Sequence, residues 1–480
     1  MSSRDEQFDI DAPTPGDSAA IGAGARPGTH VSLEGMHGSV AVPHHQAGFW
    51  EQWRAFVGPA ILVSVGYMDP GNWGTDLQGG AQFKYGLLWV VGLASLMAIF
   101  MQVISARLGV VTGKDLAQCC RDWYPQWTRW PNWLMSELAI GACDLAEVLG
   151  SAVAINLMFH IPLLWAVIIT GLDVLLLLTL QGLGVRAIEA VVLLLVATIA
   201  VCYFIEIFVL PQTQPSFVEM SRALVSPHFR QSGMLYIAIG IIGATVMPHN
   251  LYLHSALVQS RRLQQDTPSI RRAIQFNTVD SIVALSVAFF VNAAILVLAA
   301  TVFFGKRSVT VAGGQVIHFS ATSDWIRVAY LTLAPLLGTA VASTVFAVAL
   351  LASGQSSTIT GTLAGQVVME GFMHWRIKPW VRRLITRTLA ILPAVLVIGV
   401  RGNSSVTDLL TLSQVVLALQ LPFAMFPLLQ FTSSSRRMGN WKNGRFLLLA
   451  GWASAILITA MDIYGLPDSL RAAWQVVTGG

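Results

Sequence analysis

Apolar residues gather along this chain into eleven runs, covering approximately 55–79, 87–108, 133–158, 161–181, 187–210, 233–258, 277–303, 329–352, 384–400, 406–430 and 446–464. Each approaches the ~20 residues that a helix needs to cross a bilayer. The pattern predicts an all-α polytopic membrane protein with eleven transmembrane helices. Two runs are interrupted. The first carries Met68-Asp69-Pro70-Gly71-Asn72, and the sixth carries Met247-Pro248-His249-Asn250. Pro70 removes a backbone donor and biases Asp69 away from the α region, and Gly71 adds the cost of its backbone freedom. Two Pro-broken apolar segments that each hold polar side chains are the sign of a substrate site built from discontinuous helices. If spans 1–5 and 6–10 form two halves, the breaks fall at corresponding positions. An odd number of spans per half then makes the repeat inverted. The expected division is a tail over 1–48, a first repeat over 49–210, a second over 211–431, and a last span with its tail over 432–480.

Composition agrees with this reading, since 54% of residues are hydrophobic and only 11% charged, about half the charge of a soluble domain. The net charge of +4 is no nucleic-acid signature, because the basic residues sit in short clusters between apolar runs. With the N-terminus cytoplasmic, twenty Lys and Arg fall on the cytoplasmic side and eight opposite, Arg387 lying within a span. The positive-inside rule therefore places the N-terminus in the cytoplasm and, with an odd count, the C-terminus outside. The first 48 residues, rich in Gly, Pro, Ser, Ala and His, read as a disordered tail without a cleaved signal peptide. His44 and His45 read as part of that solvated tail. The four cysteines, Cys119, Cys120, Cys143 and Cys202, suggest neither a disulfide framework nor a CxxC metal site.

The chemistry sits in the breaks. Asp69 and Asn72 offer oxygens, Met247 offers a thioether, and unwinding frees backbone carbonyls, plausible ones being those of Gly66 and Ala244. A carboxylate and a sulfur together point to a divalent transition metal, held weakly enough to be released. The competing role for Asp69 is a structural cap at the helix break. In the third span Glu137, Asp144 and Glu147 share one helical face, and three carboxylates cannot face lipid. Arg383 and Arg387, one turn apart at the start of span 9, are the expected partners, with Glu137 and Arg383 at similar depth. The arrangement is either a packing network or a proton route from Asp69 past Asp144. His249 suits proton coupling or a structural role, and His254 lies on another face. Asn277, Asp280, Asp173 and Glu206 read as groups paired within the bundle, Asn277 being the best of them for a gate contact. The Gly354–Thr360 stretch lacks the Gly-Lys-Ser/Thr ending of a nucleotide-binding loop, so ATP hydrolysis is not expected.

Gly66-Tyr67-Met68-Asp69-Pro70-Gly71-Asn72 and Ala244-Thr245-Val246-Met247-Pro248-His249-Asn250 resemble the two signature motifs of the Nramp family of proton-coupled divalent metal transporters. A third segment, from Gly354-Gln355-Ser356-Ser357 through Gly365-Gln366 to Met369-Glu370-Gly371-Phe372, is similar to the family's cytoplasmic loop between spans 8 and 9. The resemblance covers about residues 50–465. It implies a LeuT-type fold and metal binding by the side chains of Asp69, Asn72 and Met247. The Ala244 carbonyl joins in the inward-facing state and that of Gly66, often Ala in the family, in the outward-facing state. It implies that Gln414 approaches the metal when the site is occluded. It ties the span-3 carboxylates and a span-9 arginine to proton movement. Tyr67, Asn250 and Asn277 are expected as gate or supporting residues. A Mg²⁺-transporting subgroup lacks the methionine, so Met247 argues against membership. The expected function is proton-coupled import of Mn²⁺, with Fe²⁺, Cd²⁺ and Co²⁺ as further substrates, across the cytoplasmic membrane. The transport unit is expected to be monomeric and non-enzymatic, with no resident cofactor. The rival expectations are a related Mg²⁺ transporter and a sodium-coupled organic-solute symporter of the same fold.

Overall fold

The computed structural model describes residues 37–43, 47–173, 185–205, 215–231, 233–264, 266–310, 316–319, 323, 325–337, 340–375, 377–401 and 406–478. The expected tail up to residue 36, His44, His45 and Glu206 lie outside the described residues. A short amphipathic helix α1 (Phe49–Phe56) leads into α2 (Pro59–Ser64) and α3 (Pro70–Phe83). There follow α4 (Leu88–Thr112), the short α5 (Leu116–Trp123), α6 (Arg129–Phe159), α7 (Leu163–Ile169), α8 (Val185–Phe204) and α9 (Phe217–Leu224). The second half contains α10 (Met234–Val246), α11 (Pro248–Leu257), α12 (Thr267–Val302), α13 (Trp325–Leu337), α14 (Ala340–Met373), α15 (Pro379–Arg401), α16 (Val406–Ser433) and α17 (Arg445–Thr478). Among the described residues nine helices are long and apolar enough to cross a membrane. The first and fourth expected spans appear instead as shorter apolar helices, Pro59–Met68 and Leu163–Leu172, the fourth running into residues outside the description.

Both expected breaks are present, and their local chemistry explains them. After α2 a single tight turn, Gly66–Met68, leads to Asp69, whose backbone is extended at φ −68° and ψ 166°. Pro70 then starts α3 at the position where a missing N–H costs nothing. The Asp69 side chain accepts the Asn72 N–H and so caps the new helix. In the second half α10 stops at Val246, and Pro248 starts α11. Between them Met247 sits at φ 38° and ψ 104°, a positive φ that side chains other than glycine's rarely adopt.

Two expectations are overturned here. The Gly354–Thr362 segment is not a loop: it lies inside α14, which continues unbroken to Met373. Its small residues serve packing, because a side-chain carbon on Gly354 would meet Ser151 Oγ at 2.2 Å and one on Gly361 would meet Glu147 Oε1 at 2.9 Å. Small residues at such spacing let helix backbones approach closely in a membrane, and α14 accordingly packs along α6. The second concerns the stretch expected to be disordered. Val40–Ala41 (β1) pairs in parallel with Arg261–Arg262 (β2), just beyond α11. Gly38 N–H donates to the Gln259 carbonyl at 3.0 Å.

The start of the first span is held from several sides. Arg186 donates to the carbonyls of Val57, Arg54 and Ala55, and Arg261 to those of Ala55 and Val57. Glu189 lies between the two guanidiniums, at 2.8 and 2.9 Å. Asp280 accepts the N–H groups of Gly58 and Ala60 at 3.3 and 3.0 Å, capping α2.

Candidate metal centre

The two breaks meet. Asp69 Oδ1 accepts both the backbone N–H and the side-chain Nδ2 of Asn72, each at 2.8 Å. The same Nδ2 donates to the Ala244 carbonyl at 3.0 Å, joining the first broken helix to the second. That carbonyl is free because α10 ends two residues later, so no helical N–H takes it. Asp69 Oδ2 is buried and has no hydrogen-bond partner. Met247 is fully buried, with Asn250 Nδ2 3.4 Å from its sulfur. Gly66 faces the same sulfur: a side-chain carbon there would lie 3.2 Å from Met247 Sδ and 2.3 Å from Asn250 Nδ2. Glycine in place of alanine therefore lets Asn250 approach. Gln414 lies against Gly71, where an added carbon would meet its Nε2 at 2.0 Å, and its Oε1 is buried without a partner.

Three residues that the sequence reading did not single out complete the surroundings. Asn292, from the middle of α12, donates to Asn72 Oδ1 at 3.2 Å and to the Tyr67 carbonyl at 2.8 Å. Thr245 Oγ1 donates to Asn72 Oδ1 at 3.4 Å. Asp76 is fully buried and both its carboxylate oxygens lack partners. It lies one turn beyond Asn72 and one turn before Gly80, which abuts the Leu296 carbonyl, so it faces α12. The signal for Asn292 and Asp76 was available, each being a polar residue inside an apolar span.

Next to this cradle stands a cluster of opposite character. Gly150 of α6 packs on Pro70, an added carbon coming within 2.1 Å of Pro70 Cβ. Glu147, one turn earlier on that face, therefore lies beside the first break. Its Oε1 accepts from Ser357 at 2.9 Å, and its Oε2 accepts from Thr358 and Arg383, both at 3.0 Å. Arg383 also pairs with Asp144 and reaches Asp173 at 3.4 Å. Arg387 pairs with Asp173 and lies 3.7 Å from Glu147. Glu137 does not meet Arg383 as expected: it pairs with Arg382 at 2.8 Å, nearer the helix end and partly exposed. Arg383 turns inward because Asp144 and Glu147 are buried and need its charge.

The other expected residues separate clearly. His249 is buried at the second position of α11, with Nδ1 unpartnered. Tyr67 accepts from Gln102 at 2.6 Å, and Gln102 Oε1 meets His254 Nδ1 at 2.9 Å, a buried chain across three helices. Asn277 contacts neither cradle nor cluster by its amide, which donates to its own helix at Ala273. Among the described residues no three His, Cys, Asp or Glu side chains converge into a metal cage. The cradle instead combines one carboxylate, amide and carbonyl oxygens and one thioether.

The chain is similar to known proteins along most of its length. A protein from a Nostoc species, called a divalent metal cation transporter, is 49% identical over 450 residues, covering 92% of this chain and 97% of its own length. A like-named protein from Bradyrhizobium diazoefficiens is 48% identical over 449 residues, covering 92% and 95%. The crystal structure of a manganese transporter from Eremococcus coleocola, in complex with an aromatic bis-isothiourea compound, superposes with a TM-score of 0.81. It is 39% identical and covers 92% of this chain and 91% of its own. A nucleobase-cation-symport-1 transporter matches in fold alone, with a TM-score of 0.50 at 12% identity over 88% of this chain and 93% of its own. The architecture is the LeuT-type fold with broken first and sixth spans. The model of the natural resistance-associated macrophage protein-like family matches residues 60–468, and the chain, a multi-pass membrane protein, belongs to that Nramp family.

Proposed function

We propose that this protein is a proton-coupled symporter that imports divalent transition metals, Mn²⁺ foremost, with Fe²⁺, Cd²⁺ and Co²⁺ as further substrates. The observation that carries the reading is the convergence of Asp69, Asn72, the Ala244 carbonyl and Met247 at the junction of two broken helices. The Asn72 amide nitrogen now bridges Asp69 Oδ1 and the Ala244 carbonyl, the two oxygens a cation would take. Turning that amide over presents its Oδ1 to the metal, and Asp69 Oδ2 adds a partnerless acceptor. Met247 sulfur favours transition metals over Mg²⁺ and Ca²⁺, which argues against the Mg²⁺ reading. One carboxylate in the cradle, and no cage around it, suits a cargo that must leave.

The neighbouring cluster supports proton coupling by its charge count. Among the described residues the three carboxylates of Asp144, Glu147 and Asp173 share two guanidiniums, Arg383 and Arg387, so the cluster can take up one proton without leaving a guanidinium unpaired. A proton leaving Asp69 on metal binding has Glu147 and Asp144 beside it. His249, Gln414, Asn250 and Gly66 line or adjoin the cradle as supporting groups. The Tyr67–Gln102–His254 chain and the Arg186–Glu189–Arg261 contacts hold the first broken helix in place until it moves. This reading carries with it a transport unit of one chain, repeats over 49–210 and 211–431, no resident cofactor and no enzymatic step. It places the protein in the cytoplasmic membrane, N-terminus inside. Mn²⁺ uptake into proteoliposomes, with and without a pH gradient, tests it. Uptake should rise with an inward proton gradient and vanish in Asp69→Ala; uptake that survives this substitution sinks the reading.

A further inference from the structure

Residues 37–43, the N-terminal arm that includes β1, border a feature that metal transport does not use. A cavity of about 110 Å³ opens between the arm and the start of α12, with Arg262, Gln264, Ser269, Arg272 and Gln52 supplying its polar wall. It adjoins a larger space of about 450 Å³ that shares Gln52 and Arg272 and is walled mainly by Phe49, Trp53, Phe276 and Val279, with Ala47 and Gln275 at its sides. The second space is an aromatic groove: Phe276 lies 5.6 Å from Phe49 and 5.3 Å from Phe56, ring centre to ring centre. Phe49 and Trp50 remain 60% and 71% exposed on α1, a short helix apolar on one side and holding Glu51 and Arg54 on the other.

From this juxtaposition we infer that the arm and the start of α12 bind an anionic phospholipid, its headgroup between Arg262 and Arg272 and an acyl chain along Phe49, Trp53 and Phe276. Three observations support a lipid rather than a free anion. The cationic cavity opens into an apolar groove, which inorganic phosphate would leave unused. Arg272 stands at the junction, where a phosphodiester meets its glycerol and chains. Helix α1, with bare aromatic rings and flanking charge, has the character of a helix lying in the membrane interface, where basic side chains attract anionic headgroups. The site matters to transport through covalent connection. Helix α1 runs into α2, the first half of the broken helix, across Gly58 at φ +135°, and Arg262 belongs to the strand that pairs with β1. A lipid here fastens the arm to α12 and so favours the conformation in which α2 is docked.

The test uses the full chain, purified in detergent and stripped of lipid. Short-chain phosphatidylglycerol should raise its melting temperature well beyond phosphatidylcholine at equal concentration, and inorganic phosphate should give no shift. The increment should be lost in Arg262→Gln/Arg272→Gln, while Cd²⁺ binding at the cradle is kept, which shows that the variant is folded. A photoreactive phosphatidylglycerol should label peptides containing Phe49–Trp53 or Phe276. Equal stabilisation by both lipids, an increment retained in the double variant, or labelling elsewhere alone would overturn the inference. A shift with inorganic phosphate that matches phosphatidylglycerol would replace the lipid by a simple anion and overturn it as well.

Discussion

At the first break Asp69 keeps one carboxylate oxygen without a partner, and its other oxygen is held only by amide N–H groups. One turn along the neighbouring helix face, Glu147 has both oxygens taken, by two hydroxyls and a guanidinium. Both carboxylates are fully buried, so burial alone does not tell the carboxylate proposed to bind metal from one held in an ion-pair network. What separates them is who supplies the positive charge. The α15 arginines are permanent residents of the cluster and exclude a second cation. Among the described residues no Lys or Arg pairs with Asp69, whose hydrogen bonds come from the neutral groups of Asn72. A carboxylate with an unpartnered oxygen and one held by a guanidinium look alike in a sequence.

This contrast can be broken most directly through stability. Arg383→Ala strips Asp144 and Glu147 of their shared cation and should cost about 3–5 kcal/mol in denaturant unfolding. Asp69→Asn, which keeps a capping side chain, should cost less than about 1 kcal/mol. Equal losses would mean that the cradle is a structural ion site like the cluster. A smaller effect is expected in selectivity. Met247→Ala should weaken Cd²⁺ binding by roughly tenfold, about 1.4 kcal/mol, while leaving Mg²⁺ and Ca²⁺ affinity unchanged; calorimetric titration of the three ions decides it. A uniform loss would assign the methionine to packing.

The smallest effect sharpens the comparison with a third buried carboxylate, one outside the spans. Asp115 caps α5 in a reciprocal capping box with Gln118. Burial pushes its carboxyl up to about 7, although the N–H groups of Gln118 and Ala117 pull it down. With the folded value above the unfolded one, its contribution is fully present below about pH 3.9 and fades as pH rises through 7. Wild type should therefore lose stability between pH 5 and 8 relative to Asp115→Asn, by about one to three degrees in melting temperature. Parallel melting curves for the two proteins would show that the group is not held neutral.

Much of this was legible in the sequence for a simple reason. Proline, glycine and a lone carboxylate inside an apolar run are costly in a membrane, and cost makes them conspicuous. That conspicuousness exposed Asp69, Asn72 and Met247, and the structure joins Asp69 to Asn72 and Asn72 to the Ala244 carbonyl. The pairing of Glu137 with Arg382 was not legible, because Arg382 and Arg383 are adjacent and only helix rotation decides which faces inward. Gly354–Thr362 misled because a run of Gly, Ser and Thr is the composition of a loop in water, yet here it is a close-packing face that donates hydroxyls to Glu147. Asn277 drew attention over Asn292 on the same span, although only the second reaches Asn72. Fifteen positions separate them, about four helical turns, and depth in the membrane is not written in residue type.

Met247 holds its place at φ 38°, where a side chain costs about 1–2 kcal/mol relative to a right-handed backbone. Glycine would relieve that strain, but it would also delete a fully buried side chain, a loss of about 2–5 kcal/mol that outweighs the relief. Packing therefore holds the sulfur proposed to choose the metal in place against its own backbone. A laboratory selection for heat tolerance alone, run without metal, should keep a bulky apolar residue at this codon and admit leucine before glycine.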